Sequence, residues 1–167
     1  MKGRFSLQVM FLGLVLVQGI GWAQVTQSAE RKGAGYVFVT PGAWVGDGTY
    51  GVFGFGGGGE GLLKGGFGIS ADVGYTYYTQ EGFSTGFGLF SPGAVYQFQR
   101  ARKVVPFVAG GYSLAFRGDS LNMGYFGGGI NYWPKDHFGL RFEVRDHLSP
   151  NNTQDNLLLF RIGFLFR

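Results

Sequence analysis

Near the C-terminus of this 167-residue chain, Leu158, Phe160, Ile162, Phe164 and Phe166 fall on one parity of the sequence, and Arg161, Gly163 and Arg167 on the other. A β-strand sends successive side chains to opposite faces, so this segment has one greasy face and one polar face. The pattern recurs upstream. Phe138, Leu140, Phe142 and Val144 oppose Gly139, Arg141, Glu143, Arg145 and His147. Phe67, Ile69, Ala71, Val73, Tyr75 and Tyr77 oppose Gly68, Ser70, Asp72, Gly74 and Thr76. From Gly35 onward, apolar segments of about ten residues alternate with clusters of Gly, Asp, Asn, Pro and charge, and none shows an apolar face at helical spacing. Eight strands are predicted, at 35–45, 50–60, 67–78, 86–98, 104–116, 121–133, 137–147 and 156–166. An even number of strands of ~9–11 residues suits a closed transmembrane barrel.

Parity alone does not say which face points inward, because soluble sandwiches and lipocalin-like barrels alternate too. Three features choose. Charged residues are 14% of the chain, against ~25% in an ordinary soluble domain, too few to wet the whole exterior. Aromatic residues gather near strand ends (Tyr75, Tyr77, Tyr96, Phe98, Tyr132, Trp133), where interfacial girdles sit. The N-terminus reads as an export signal: Lys2 and Arg4 form a basic start, Val9 to Val17 an apolar run, and Gly21-Trp22-Ala23 a small-x-small cleavage site. That run is about half the ~20 residues a membrane-spanning helix needs. The chain therefore divides into a signal peptide, 1–23, and a barrel domain, 24–167. Removing Lys2 and Arg4 lowers the formal charge from +4 to +2, so no nucleic-acid partner is implied. With no Cys, neither disulfides nor a cysteine metal site can hold the fold. The expected fold class is all-β: a closed, antiparallel, up-and-down, eight-stranded transmembrane barrel with its apolar face outward.

The polar face then lines a lumen so narrow that side chains fill it, leaving a plugged core and no pore. Glu60, Asp72, Arg141, Glu143, Arg145 and Arg161 are its charges. Unpaired buried ions cost several kcal/mol, so an Arg–carboxylate network centred on Arg141, Glu143, Arg145 and Asp72 is expected. The 33 Gly and 30 aromatic residues (18 Phe, 9 Tyr, 3 Trp) divide accordingly. Aromatics line the lipid side and its interfaces, while Gly lies in turns and in the strand segments Phe55–Gly59 and Phe126–Gly129, beside lumen-crossing Arg. Seven connections join the strands: 46–48, 60–66, 79–85, 99–103, 117–120, 134–136 and 148–155. With both termini periplasmic, the first, third, fifth and seventh face outward.

Phe160-x-Ile162-x-Phe164-x-Phe166 resembles the closing strand of bacterial outer-membrane barrels, whose terminal aromatic is read by the insertion machinery; here Arg167 follows that aromatic. Nearly the whole barrel domain is similar to the eight-stranded outer-membrane β-barrel family, the group of outer membrane proteins A and X. The resemblance implies location in a bacterial outer membrane, contact with its lipid and lipopolysaccharide, assembly by the barrel machinery, a monomer, and a structural or surface-interaction role without a cofactor or metal. The family also includes lipid A-modifying enzymes, so the fold does not choose the function.

His147-Leu148-Ser149 resembles the His-x-Ser element of the outer-membrane lipid A 3-O-deacylases, and a base beside a hydroxyl is what acyl hydrolysis needs. The resemblance implies a histidine base and a serine nucleophile on the lipid-facing wall. Pro150 stands where those enzymes have Asn, only Asp146 or Asp155 could orient the histidine, and His147 falls on the lumen parity. The expected protein is therefore non-enzymatic, and an acyl hydrolase using His147 and Ser149 is the alternative. Weaker matches are structural. Gly54 to Gly59 fits G-x-G-x-x-G without a following helix, and His137 and His147 lie ~33 Å apart along a strand, too far for one metal. Arg117-Gly118-Asp119 spells an adhesion tripeptide and also suits a turn. A small diffusion channel is the third possibility.

Overall fold

The computed structural model describes residues 32–46, 48–80, 83–117, 119–149 and 156–167. The expected signal peptide lies outside these, as do Asp47, Gly118, Pro150 and Asp155. Eight strands follow one another: β1 (Gly33–Val45), β2 (Thr49–Leu62), β3 (Phe67–Gln80), β4 (Phe83–Gln97), β5 (Val104–Arg117), β6 (Asp119–Lys135), β7 (Phe138–Leu148) and β8 (Asn156–Phe166). Each pairs antiparallel with its sequence neighbours, and β1 pairs with β8, so the sheet closes into an up-and-down barrel. The expected eight-stranded class stands.

Most strands are longer than the alternation marked, because the connections are tighter. Residues expected in the third and fifth connections lie in β3, β4, β5 and β6. The chain turns after β2 through a single 3-10 turn, Lys64–Gly66. β6 runs past the predicted break at Pro134 to Lys135, by a register shift between Tyr132 and Lys135. Proline has no N–H to give the ladder and marks such bulges. Three other prolines lie within strands; Pro106 keeps its place opposite Ile130, but the ladder yields beside the other two: the β1–β8 pairing skips Thr40 and Pro41, and the β4–β5 pairing skips Ser91 and Pro92.

Alternation sorts the wall into two faces. Phe53, Phe55, Ile69, Val73, Val108, Phe126, Phe142, Val144, Phe160, Ile162, Phe164 and Phe166 are exposed on the exterior. An apolar belt of this kind around a barrel is a surface for lipid. Aromatic pairs flank it: Phe67 lies 4.7 Å from Tyr96, which lies 4.8 Å from Phe98, near the end that carries both termini, and Tyr75 lies 4.7 Å from Tyr77 nearer the far end. Trp133 does not belong to this girdle. It is buried inside the barrel with Tyr36, Phe38, Val105 and Leu165.

That correction is general, for the lumen is not uniformly polar. Val52, Phe87, Leu89, Ala115, Met123, Leu157 and Leu159 form an apolar layer toward the far end. Tyr36, Trp133, Val105 and Leu165, together with Val95 and Phe107, form others toward the end with the termini. The charged residues lie between them. Aromatics thus line both faces of the wall, and parity carries no sign where both neighbours are apolar, as at Tyr36-Val37-Phe38-Val39.

Candidate functional site

The charged belt is built mainly from β7, whose inward positions read Arg141, Glu143, Arg145 and His147. Residues two apart on a strand share a face, so three charges stack up one wall. Two partners come from across the lumen, Glu60 on β2 and Asp72 on β3, and a third, Arg161, stands opposite Glu143 on the neighbouring strand β8. All six are buried.

Asp72 receives two guanidiniums. Arg161 binds it in a fork, Nη2 to Oδ1 at 2.7 Å and Nη1 to Oδ2 at 3.1 Å, and Arg145 Nη1 donates to Oδ2 at 3.1 Å. The Tyr36 hydroxyl approaches the same oxygen at 3.4 Å. Glu143 Oε1 accepts from Arg145 Nε and lies 2.8 Å from its Nη2. Its other oxygen sits 3.3 Å from Arg141 Nε and 3.6 Å from Arg161 Nη1, charge contacts that lack hydrogen-bond alignment. Arg141 Nη1 donates to Glu60 Oε2 at 2.9 Å, and Gln97 Nε2 donates to Glu60 Oε1 at 2.5 Å. Arg145, Asp72, Arg161 and Glu143 thereby form a closed circuit, with Arg141, Glu60 and Gln97 as a branch. Three arginines face three carboxylates, so the belt is neutral. Charge-assisted, forked contacts of this kind are the strong class of hydrogen bond.

Each guanidinium also lies on an aromatic ring. Arg161 Cζ is 3.8 Å from the Phe38 centroid, Arg145 4.2 Å from Tyr125, and Arg141 4.0 Å from Phe107 and 4.8 Å from Tyr36. These platforms, and Gln97, were not legible as site residues. The glycines opposite have a more specific job than giving room to arginine: a Cβ at Gly58 would stand 2.6 Å from the Cβ of Asp72, and one at Gly56 2.6 Å from the ring of Phe38. Beside Asp72 and Arg161 a void of about 10 Å³ remains, about the space of one water.

His147 and Ser149 take the lumen parity. His147 is 0% exposed and Ser149 6%, while Leu148 between them is exposed on the exterior. The imidazole Nδ1 lies 3.3 Å from the Leu157 carbonyl oxygen, and the ring rests against Tyr125 at 5.7 Å. Pro150 and Asp155 lie outside the described residues. Phe160, Ile162, Phe164 and Phe166 stand on the exterior, each about half exposed, and Arg167 continues beyond β8, its N–H 3.3 Å from the His137 carbonyl oxygen.

The sequence matches no protein-family model and no curated protein. The fold does match solved structures. Neisserial surface protein A aligns with a TM-score of 0.58 at 15% identity, over 83% of this chain and 99% of that one. Ail, the attachment invasion locus protein of Yersinia pestis, solved with the heparin analogue sucrose octasulfate, gives 0.57 at 12% identity, over 80% and 96%. The outer membrane enzyme PagL gives 0.55 at 16% identity, over 79% and 99%. At such identities the likeness is one of fold, and a surface protein, an attachment protein and an enzyme share it. The chain has the fold of the small eight-stranded outer-membrane β-barrels, and a bacterial outer membrane is where its apolar belt belongs.

Proposed function

We propose that this is a non-enzymatic outer-membrane protein with a structural or surface-interaction role, anchored by its lipid belt and closed to ions by its lumen. The observation that carries the reading is the neutral belt: six buried charges, paired between apolar layers, fill the middle of the lumen and offer no net field to draw ions. The four connections at the far end face outward in this reading and present what the protein binds. Phe160, Ile162, Phe164 and Phe166 serve insertion by the assembly machinery, lipopolysaccharide surrounds the outer half of the belt, and the protein works as a monomer.

The second reading is a lipid A acyl hydrolase using Ser149 and His147. Its support is the His-x-Ser element near the far end of β7 and the shared fold with an outer membrane enzyme. Against it stands the burial of both side chains on the lumen side, since a nucleophile must reach the scissile carbonyl. Two measurements decide. Reconstituted into planar bilayers, the protein is expected to give no stepwise conductance, and steady single-channel steps would refute the closed lumen. Mass spectra of lipid A from cells with and without the protein are expected to coincide. An acyl chain missing only when the protein is present, and restored by Ser149→Ala, would establish the hydrolase.

A further inference from the structure

The far mouth of the barrel is hollow. Trp44, Tyr50, Tyr78, Phe87, Ala115, Phe116, Arg117 and Leu121, all described residues, enclose a cavity of about 300 Å³ that opens outward. Its walls are braced: the Trp44 and Phe87 rings meet edge to face at 6.2 Å, and Tyr78 lies 6.3 Å from Phe87. Its floor is the apolar layer of Val52, Leu89, Met123, Leu157 and Leu159. That layer separates the cavity from the charged belt, which is neutral in any case. The nearest fixed charge among the lining residues is therefore Arg117, exposed at the end of β5 on the inward parity.

We propose that this cup binds a small amphiphilic anion: one short alkyl chain or ring, held among the aromatic walls, bearing a single acid group that meets Arg117 at the rim. Concave, mostly apolar sites of this volume with few polar groups are the usual form of small-ligand pockets. The cup is apolar where a chain would lie, and Arg117, whose ladder neighbour is Asp119, stands where a head group would emerge. Its volume suits one alkyl chain or ring. A guanidinium recognises a carboxylate, sulfonate or phosphate by the same forked contact, so the acid is specified by charge and not by element. The proposal goes beyond the closed-barrel reading, because conductance tests the belt and leaves the cup untouched.

The test uses Trp44 as its reporter. The protein is reconstituted into nanodiscs of zwitterionic lipid and titrated with 11-bromoundecanoic acid at about pH 9, where a carboxyl is ionised, and separately with 11-bromoundecanol. Bromine quenches a nearby indole. Saturable quenching by the acid is expected, and Trp44→Phe should abolish the saturable part while leaving the signal of Trp133 at the other end of the lumen. Arg117→Gln, at an exposed rim position, should weaken the acid about tenfold, the scale of a lost charged hydrogen bond, and leave the alcohol unchanged. Ala115→Phe, which fills the cup, should weaken both probes, with closed-barrel migration on unheated gels reporting folding. Quenching that never saturates, that survives Trp44→Phe, or that responds to Arg117→Gln equally for acid and alcohol would overturn the proposal.

Discussion

Both ends of the lumen are lined by aromatic side chains, yet one is filled and the other hollow. At the end with the termini, the indole of Trp133 lies so close to the wall that a Cβ at Gly139 would be 3.0 Å from it, and Tyr36, Val105 and Leu165 close around it. The backbone is gathered there as well, with the Trp133 N–H donating to the Lys103 carbonyl at 2.7 Å and the Leu62 N–H to the Lys32 carbonyl at 2.6 Å. At the far end, Trp44 meets Phe87 by its edge and stands at the wall, and the space between the strands stays open. Aromatic content does not decide whether a barrel mouth is shut. What decides is whether a large ring has a bare stretch of wall to lie against.

The sharpest way to break the comparison is to disturb the belt that separates the two ends. Glu143→Ala leaves three arginines around a missing carboxylate. Removing one partner of a buried pair costs about 3–5 kcal/mol, so urea unfolding in lipid vesicles should shift by that much, and an unchanged midpoint would mean the network does not hold the fold. Leu165→Ala, in the filled end, should cost about 3 kcal/mol in the same assay, the scale of a cavity opened in a packed core. The matching truncation in the hollow end, Leu121→Ala, should cost less than about 1 kcal/mol, because its side chain already borders open space. Equal losses at Leu165 and Leu121 would erase the distinction between the ends. Smallest of all, Ser149→Ala should leave both unfolding and the lipid A spectrum unchanged.

Much of this was legible in the residues, and the reason is the period of two. Along Gly68 to Thr76 of β3, Phe138 to Arg145 of β7 and Phe160 to Phe164 of β8, one parity is apolar and the other carries charge, Ser, Thr or Gly, so Asp72, Arg141, Glu143, Arg145 and Arg161 could be placed inside from the residues alone. Where both parities are apolar, as along Tyr36 to Val39 or Leu157 to Leu159, alternation says nothing, and the layers above and below the belt went unseen. Trp133 was misplaced for a related reason: an aromatic near a strand end suits a lipid interface and a lumen plug equally well, and only the register shift at Pro134 and the partner strands tell them apart. The cup was invisible because its walls come from six strands, five of them giving a single residue and β5 three, with no distinctive pattern.

The order of the chain bears on how such a wall can be completed. Every ladder but one joins neighbours in sequence; the last joins β1 to β8, the first strand to the final one. The belt's contacts to Asp72 and Glu60 span similar distances, with 73 residues between Arg145 and Asp72, 81 between Arg141 and Glu60, and 89 between Arg161 and Asp72, whereas Arg145 meets Glu143 two residues away on its own strand. Contacts this remote form only after the intervening chain is in place. An unfinished barrel therefore leaves Asp72 and Glu60 without their guanidiniums, carboxylates that a bilayer interior would reject. The same ions that lock the finished molecule thus favour entry into the membrane only as the sheet closes, which makes the lumen a proofreader of its own assembly.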